Sequence, residues 1–326
     1  MIWFLCGWIL SGNVACGPVA TTNVTASSAP SGVSRVQLFV EPDAGVGPVL
    51  EFIDQSRQTL DVAMYLLSDR DVNRALEEAK RRGVRVRVML EEHPYGSGPG
   101  NASIAQSLRN AGVATAWAPA NFQLSHDKYA IADRTTALVG TANWTHAAFT
   151  ANREYLVVDT NPEDVQALEN LFQADWQRQQ GDLTDPHLVV SPVNSRSDLV
   201  ALIDSARGGV DLEAEELQDA GIEDALIRAA RRGVTVRVVT VAGPANDANA
   251  DGRQHLAAGG VGVRTLQSPY IHAKDLVADR REAFVGSENI STASLDRNRE
   301  VGLLVDDAGA ITILEDTFSR DWQSAR

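Results

Sequence analysis

The chain contains 326 residues, of which 44% are hydrophobic, so it is long enough for two domains of ordinary size with a substantial core. Its 29 basic and 43 acidic residues leave a formal net charge of -14. This balance disfavours nonspecific nucleic-acid binding, which depends on Lys and Arg contacts to phosphates, and strong attraction to an anionic membrane surface. Both cysteines, Cys6 and Cys16, lie near the N-terminus, so the rest of the chain offers neither a disulfide framework nor a cysteine metal site.

The N-terminal segment predicts export. Residues 1–15 are mostly apolar but too short to span a bilayer, which is typical of a secretory h-region. The sequence Val14-Ala-Cys16-Gly17 resembles the end of a bacterial lipoprotein box, with Cys16 as the lipidated residue, although Asn13 stands where Leu is usual. A lipoprotein leader over residues 1–16, a plain signal peptide and a misassigned start remain open. We therefore expect a protein of the bacterial cell envelope or a secreted one, with residues 17–34 as a flexible Thr/Ser/Pro-rich tether.

The next segment alternates strands and helices. Apolar alternation predicts strands over residues 36–40, 60–66 and 84–88, and helical spacing predicts helices over 49–58 and 71–82. Gly83 is placed to end the second helix as its C′ residue. In the strand over 84–88 the valines should face the core, while the arginines face outward or form ion pairs.

The same plan then repeats. Residues 211–216 match 61–66, and the Arg-Arg-Gly-Val run at 231–234 matches the one at 81–84, both at an offset of 150. Each copy should close with a helix; the first begins with Asn161 as N-cap and Pro162 at N1. An inner stripe of Leu, Phe and Trp is shared by the two closing helices, at Leu168, Phe172 and Trp176, and at Leu314, Phe318 and Trp322, and we interpret it as core. The pattern predicts two α/β domains, over 35–181 and 182–326, related by a pseudo-twofold axis.

A set of polar residues recurs at a constant offset of 146. Each copy has an H-x-K-x4-D motif, then a Gly-hydroxyl-x-Asn turn, then an Asn-Arg-Glu. The residues are His126, Lys128, Asp133, Thr141, Asn143 and Glu154 in the first copy, and His272, Lys274, Asp279, Ser287, Asn289 and Glu300 in the second. A match at six positions in both halves is hard to attribute to chance.

These residue types suit a phosphodiester. A His titrates near neutrality and serves as nucleophile, acid or base. A Lys two positions later on a strand points to the same face, which places a cation beside the imidazole. Two such sets facing each other make a pocket with two imidazoles and several donors, where one His attacks phosphorus and the other protonates the leaving oxygen.

The duplicated H-x-K-x4-D motif resembles that of the phospholipase D superfamily, over nearly everything from Val36 to Trp322. The resemblance implies two α-β-α sandwich domains with the active site at their interface, and a two-step reaction through a phosphohistidine without metal or other cofactor. It also implies roles for the repeated residues. His126 would be the nucleophile, His272 the general acid, and Glu154 and Glu300 would orient the two rings. Lys128, Lys274, Asn143 and Asn289 would hold phosphoryl oxygens, Thr141 and Ser287 would line the pocket, and Asp133 and Asp279 complete the catalytic motif but tend to be structural in this family.

Other polar and aromatic residues outside the repeated set have alternative interpretations. Glu215 and Glu216, whose counterparts are Tyr65 and Leu66, are either carboxylates near the pocket or an exposed strand end. Residues 247–252 resemble the opening of a calcium loop, but Ala258 stands where a bidentate Glu is needed, so we predict a polar surface loop. His93, His146, His187 and His255 have no counterpart at the repeat offset, and only His146 is expected near the site. Trp144 either walls the pocket or packs.

The sequence thus predicts an exported, monomeric phosphodiesterase that hydrolyses the head-group phosphodiester of a phospholipid, with water or a small alcohol as acceptor. Phosphatidyl transfer, as in cardiolipin synthases, is one alternative, and a nuclease of the same superfamily is another. A catalytically silent protein that binds anionic lipid is a third, but both copies of the motif are intact.

Overall fold

The structure is a computed structural model that describes residues 35–95, 100–181, 183, 185–244 and 247–326. The leader, the tether and Cys16 lie outside the described residues. Among the described helices, none combines the length and the apolar composition needed to cross a bilayer.

The first half of the chain alternates strands and helices as the sequence predicts, with ends that differ by up to three residues. Its elements are β1 (Val36–Glu41), α1 (Gly47–Gln55), β2 (Thr59–Met64), α2 (Arg70–Arg81), β3 (Arg85–Leu90), α3 (Ala102–Asn110), β4 (Ala114–Trp117), β5 (Lys128–Ala132), β6 (Thr136–Gly140), α4 (His146–Thr150), β7 (Asn152–Asp159) and α5 (Pro162–Gln177). The predicted first helix ran on to residue 58, but α1 stops at Gln55 because the chain becomes extended at Ser56.

The second half repeats this order with a few short added strands. Its elements are β8 (Leu188–Ser191), α6 (Ser195–Ser205), β9 (Gly209–Ala214), β10 (Leu217–Gln218), α7 (Ala220–Arg231), β11 (Thr235–Val241), α8 (Ala250–Ala258), β12 (Gly262–Leu266), β13 (Tyr270–Ile271), β14 (Lys274–Ala278), β15 (Glu282–Gly286), β16 (Ile290–Ser291), α9 (Thr292–Asp296), β17 (Glu300–Val305) and α10 (Ala308–Ser324).

The two halves build sheets with the same strand order. The first sheet runs β1-β7-β6-β5-β2-β3-β4, and the second, in corresponding order, runs β8-β17-β15-β14-β9-β11-β12. In each sheet the strand that follows the His is antiparallel to its neighbours, while β2-β3-β4 and β9-β11-β12 are parallel. The predicted duplication is therefore confirmed at the level of topology.

Apolar residues form three clusters of core. Each half has its own cluster, where α1 to α4 or α6 to α9 cover one face of the sheet. The third cluster joins both halves, because the other faces of the two sheets pack around α5 and α10. Phe172 and Phe318 from the predicted stripes are fully buried in it, whereas Trp176 and Trp322 lie at its margin. A continuous apolar interior thus holds the two sheets together, because removing this apolar surface from water is favourable.

Predictions that depend on residues close together in the sequence are confirmed. The Asn161 side chain caps α5 with Pro162 in the first turn, and Gly83 has a φ of +95° after α2. In β3, Arg85 is exposed, whereas Arg87 turns back to pair with Asp61, with Nη2 and Oδ2 2.6 Å apart. The Arg87 guanidinium also lies over the ring of Phe172, so the Arg87–Asp61 ion pair covers the edge of the shared core.

Candidate active site

The two motif histidines are held by the main chain of the opposite half. The backbone N–H of His126 donates to the carbonyl of Arg299 at 2.8 Å, and that of His272 donates to the carbonyl of Arg153 at 3.2 Å. Just before His272, β13 pairs in parallel with the start of β7. Each histidine therefore lies beside the strand that carries the other half's Asn-Arg-Glu.

This pairing produces two crossed histidine–glutamate contacts. His126 Nδ1 lies 2.7 Å from Glu300 Oε2, and His272 Nδ1 lies 2.8 Å from Glu154 Oε2. Both carboxylates are completely buried. A glutamate on Nδ1 favours the tautomer with its proton there, which leaves Nε2 of the ring for chemistry. The sequence predicted that the glutamates orient the rings, but not that each serves the other half.

The two glutamates are held by asparagines that precede them by two positions. Asn152 donates to Glu154 Oε1 at 3.2 Å, and Asn298 donates to Glu300 Oε1 at 3.0 Å. These asparagines stand in the repeated Asn-Arg-Glu, so the repeat itself was the signal for them. Their amides fix the carboxylates on one side while the histidines engage them on the other.

The hydroxyl residues differ from the expected pocket lining. The Thr141 hydroxyl donates to Glu154 Oε2 at 2.7 Å, and both Thr141 and Ser287 are fully buried. Ser287 Oγ accepts a backbone N–H, and in the second half it is Ser294 that donates to Glu300, at 2.7 Å. The structure therefore places these two predicted substrate-binding hydroxyls behind the histidines, where they support a glutamate or a strand.

The motif lysines are buried beside the rings. Lys128 Nζ donates to the carbonyl of His126 and Lys274 Nζ to that of His272, both at 2.5 Å. Each is 1% exposed. Burial lowers the pKa of Lys128 to about 8, with Glu300 acting in the opposite direction. A cation kept at low exposure binds an anion strongly, because its field is poorly screened.

The two turn asparagines keep part of their side chains unengaged. The side-chain oxygens of Asn143 and Asn289 are buried without a hydrogen-bond partner in the described part of the chain. The amide nitrogen at the other end of each side chain is the donor that a phosphoryl oxygen would need. This placement supports the predicted contacts with phosphoryl oxygens.

The motif aspartates lie away from this cluster and are not part of it. Asp133 follows β5, about 16 Å beyond Lys128 at roughly 3.3 Å per residue. Its carboxylate accepts three backbone N–H bonds, from residues 57–59, at 2.6 to 2.8 Å. Asp279 does the same for residues 207–209. Both therefore close a turn, as the family resemblance implied, and their inclusion in a catalytic set is corrected.

Burial and nearby charges determine the charge state of His126. Burial lowers the pKa of His126 to about 4, and the two lysines add to this effect while Glu300 opposes it. Burial alone would raise the pKa of Glu300, but attraction to His126 and the bonds it accepts lower it. His126 is thus a neutral imidazole beside an ionised carboxylate near neutral pH, with the lone pair that a nucleophile needs.

One further carboxylate reaches the site. Glu215 Oε2 lies 2.7 Å from Lys274 Nζ and 3.3 Å from His272 Nε2. Of the two interpretations of this residue, a carboxylate at the pocket is confirmed. The corresponding residue of the first half, Tyr65, instead sets its ring edge-on against His126, with centroids 4.4 Å apart. Sequence reasoning missed Tyr65 because the motif does not include it.

The remaining singled-out residues lie elsewhere or only pack. Trp144 is fully buried in the core of the first half, so it packs. His93, His146 and His255 are exposed, and within the described ranges His146 forms no hydrogen bond or ion pair with the motif residues.

The structure also bears on cation sites. The Asp247 carboxylate pairs with Arg253 at 2.9 Å and accepts the N–H of Asn249, and α8 already begins at Ala250. The side-chain oxygens of Asp247 and Asn249 are therefore engaged by protein, but the prediction of a surface loop over residues 247–252 is wrong for residues 250–252, which form the first turn of α8. A separate group of Asp164, Asp185 and His187 has ligand atoms within 4.8 Å of one another. Asp164 bonds the His187 ring at 3.0 Å, which accounts for this contact without an ion.

The fold and the site define a duplicated α/β protein whose halves each contribute a histidine, a lysine and a glutamate to a joint polar cluster. A family model described as the phospholipase D-like domain of cardiolipin synthase matches residues 49–176 and 199–322. The chain belongs to the phospholipase D superfamily.

Two relatives agree with this assignment, and a solved structure shares the fold. The chain is 33% identical to a mitochondrial cardiolipin hydrolase of Xenopus laevis over 37% of its own length and 56% of that protein, so it spans about half the length of this relative. It is 25% identical to cardiolipin synthase B of Salmonella typhi over 84% of this chain and 77% of that one. The fold is similar to phosphatidylserine synthase of Haemophilus influenzae, with a TM-score of 0.68, 14% identity and coverage of 90% and 87%.

Proposed function

We propose that the chain is a phosphodiesterase that transfers phosphorus from a phospholipid head-group ester to water through a phosphohistidine. The observation that carries this proposal is the crossed pairing of two histidines with two buried glutamates, each beside a buried lysine. Such pairing holds each ring through Nδ1, so that Nε2 is the nitrogen that takes part in the chemistry, while the lysines and the Asn143 and Asn289 amides provide donors for phosphate oxygens.

In the first step, the lone pair of His126 Nε2 attacks phosphorus. The bond from phosphorus to the leaving oxygen breaks, and that oxygen takes the proton from His272 Nε2. Glu300 stabilises the positive charge that develops on His126, because it already accepts the N–H at Nδ1. The products of this step are a free alcohol, a phosphohistidine at His126 and a neutral His272.

In the second step, water replaces the leaving alcohol. His272 Nε2 accepts a proton from the water as its oxygen attacks phosphorus, and the bond between phosphorus and His126 breaks with return of the electron pair to the ring. Glu154 holds the proton at His272 Nδ1 throughout, as its 2.8 Å contact indicates. Both histidines thus regain their starting states.

The names of the relatives and the net charge of the chain favour a phospholipid as the substrate class. The matching family model and two relatives carry names that refer to cardiolipin metabolism. The net charge of -14 disfavours a polyanionic nucleic acid as the main substrate.

The test compares phosphatidylcholine, cardiolipin and single-stranded DNA as substrates, with and without chelator. We expect head-group release from at least one lipid that survives chelation, since the cluster supplies its own nucleophile and acid. His126→Ala should lower kcat by at least about 10³-fold, whereas His146→Ala, an exposed control, should leave it unchanged. Cutting of DNA without release from any lipid would contradict the proposal.

A covalent intermediate gives a second test. Brief reaction with a ³²P-labelled lipid followed by denaturation should leave label on a peptide that contains His126. His272→Ala should still form this adduct from a substrate with a good leaving group but hydrolyse it slowly. Label on the His272 peptide of the wild-type protein would exchange the two roles.

Phosphatidyl transfer is the second candidate. It is favoured by the likeness to cardiolipin synthase B, which extends over 84% of this chain. An alcohol would then replace water in the second step. Adding glycerol or phosphatidylglycerol to the lipid assay distinguishes the two, because transfer yields a new phosphodiester whereas hydrolysis yields phosphatidic acid.

The cellular location is part of the proposal. The apolar leader and Cys16 support an exported protein of the bacterial envelope, held by a lipid at Cys16 or secreted. Radiolabelled palmitate should be incorporated into the wild-type chain and not into Cys16→Ser. Incorporation into neither would favour the plain signal peptide. We also propose a monomer, since one chain already contains both half-sites.

A further inference from the structure

The two half-sites differ at one pair of corresponding positions. Residue 65 in the first half is a tyrosine and residue 215 in the second is a glutamate, at the repeat offset of 150. The Tyr65 ring lies edge-on to His126 and 5.2 Å from Lys128 Nζ. The Glu215 carboxylate instead contacts His272 Nε2 and Lys274 Nζ. A tyrosine ring and an anion thus occupy equivalent places beside the two histidines.

This difference gives the two rings different neighbours. The His272 ring has a carboxylate at each nitrogen, Glu154 at 2.8 Å from Nδ1 and Glu215 at 3.3 Å from Nε2. A doubly protonated ring there would have a hydrogen-bond acceptor at Nδ1 and a second anion 3.3 Å from Nε2. In the described part of the chain, His126 has one carboxylate partner, Glu300 at Nδ1. A proton at its Nε2 would have no such acceptor, and the ring keeps a lone pair there.

The charge on Glu215 persists across the working pH range. Burial acts to raise its pKa, but attraction to His272 and Lys274, together with the bond from Lys274, lowers it to about 2. The other oxygen of the carboxylate accepts a bond from the Tyr270 hydroxyl at 3.3 Å, which steadies its orientation. Its side chain is only 21% exposed, so solvent screens this charge poorly.

We propose that Glu215 assigns the catalytic roles by holding the transferable proton on His272 Nε2, so that His272 acts as the acid and His126 as the nucleophile. The inference rests on the proposed function and deepens it. Glu215 acts through His272 and is a positioning residue. When the leaving oxygen arrives, the proton moves from His272 Nε2 to that oxygen; in the second step it returns from water to the same nitrogen beside the same carboxylate.

Substrates that share a lipid part but differ in leaving group test this role. Release of choline from phosphatidylcholine needs a proton, whereas nitrophenolate leaves from phosphatidyl-p-nitrophenol without one. Glu215→Gln should lower kcat by about 10²-fold or more on the choline ester and by less than about tenfold on the nitrophenyl ester. Glu215→Tyr, which installs the residue of the first half, should show the same split. Equal losses on both esters would overturn the inference, since they would indicate damage to phosphate binding or to folding.

Two controls sharpen the comparison. Glu216→Gln removes the neighbouring carboxylate and should leave both rates within about twofold of wild type. In a His272→Ala background, Glu215→Gln should change neither rate further, because a residue that acts through His272 has no effect once that ring is gone. A loss confined to KM for cationic head groups would assign Glu215 to head-group binding and overturn the proton role.

A measurement without turnover separates this inference from the proposed function. The charged groups that face the His272 ring are Glu154, Glu215 and Lys274. In ¹⁵N-histidine spectra followed against pH, Glu215→Gln should shift the titration midpoint of His272 downward by about one pH unit and that of His126 by less, because Glu215 contacts the His272 ring directly and acts on His126 only through its charge. An unmoved His272 midpoint would overturn the inference even in an active protein. If the His272 midpoint shifts as expected but the protein cleaves no phosphodiester, the proposed function would be wrong while the inference about Glu215 would stand.

Discussion

The chemistry at the scale of single residues depends on burial. His126 and Glu300 differ from free side chains because the protein removes water from both and sets them 2.7 Å apart. Desolvation disfavours the charged imidazole, while the ionised glutamate holds one ring proton in a fixed place. The result is a ring that is uncharged near neutrality and presents its lone pair at Nε2.

This state of His126 predicts the acid side of the pH profile. A pKa lowered to about 4 means that the ring loses its lone pair only below that pH, so kcat/KM should begin to fall near pH 4 instead of near 6.5. Glu300 raises this pKa, so Glu300→Gln should move the fall to still lower pH and reduce kcat by about 10²-fold. His146→Ala, at an exposed histidine, should leave the profile unchanged. A fall centred between pH 6 and 7 in the wild type would contradict the assignment.

At the scale of elements, the same motif serves two unrelated purposes. One end of β5 and of β14 carries the His and Lys of the site, and the other end carries an Asp that closes a turn. Asp133 and Asp279 both have a φ of 53°, in the left-handed region that Asp tolerates better than most residues. Each gathers three backbone N–H groups that would otherwise lack a partner. The aspartate of the motif therefore supports a turn at the end of the strand away from the histidine.

Replacing these aspartates should therefore cost stability and not activity. Asp133→Asn and Asp279→Asn keep the backbone preference but lose charged acceptors, so each should lower the free energy of unfolding by about 1–2 kcal/mol. The kcat of the folded variants should match wild type within about twofold. Urea unfolding and steady-state kinetics on the same samples measure both. A loss of kcat above about tenfold would return these residues to the catalytic set.

The pH dependence of this effect has a definite sign. Partial burial acts to raise the pKa of both aspartates, but the backbone N–H bonds lower it below the ordinary value of 3.8. A lowered folded-state pKa stabilises the protein above the unfolded-state pKa, and this stabilisation is lost as the pH falls through the folded-state value. The difference between wild type and either Asn variant should therefore shrink below pH 4.

At the scale of the whole molecule, the halves are joined by two reciprocal ion pairs as well as by the shared core. Arg153 of the first half bonds Asp321 in α10 at 2.6 and 3.1 Å, and Arg299 of the second bonds Asp175 in α5 at 3.0 Å. All four side chains are buried. The same two arginines offer the carbonyls that hold His272 and His126. The two arginines therefore both join the halves and position the histidine rings.

Breaking one of these ion pairs should lower the stability of the protein. Arg153→Met leaves the Asp321 carboxylate buried without its cation, so the free energy of unfolding should fall by about 3–5 kcal/mol. Arg153→Met combined with Asp321→Leu should recover much of this loss, which denaturant unfolding in a double-mutant cycle measures. Arg74→Met, at an exposed pair with Asp71, is the control and should change stability by less than about 0.5 kcal/mol. Additive losses would show that the pair is not coupled.

The sequence could predict much of this protein because its signals are local or repeated. The motif residues, the Asn161 cap and the Gly83 terminus depend on near neighbours or on the offset of 146, so they can be recognised without coordinates. The exact ends of helices and strands cannot be recognised in this way, as α1 shows, because the local backbone conformation decides where they fall.

What the sequence determined by itself was the inventory: two copies of an α/β unit, each with a His, a Lys, an Asn and a Glu at fixed spacing. Only the tertiary structure decided which glutamate serves which histidine, that Thr141 and Ser287 stand behind the rings, and that Glu215 reaches His272 where Tyr65 flanks His126. The physical reason is that these contacts join residues up to 174 positions apart, across the packed faces of two sheets. Spacing along a chain carries no information about such pairs until burial of the shared core brings the halves together.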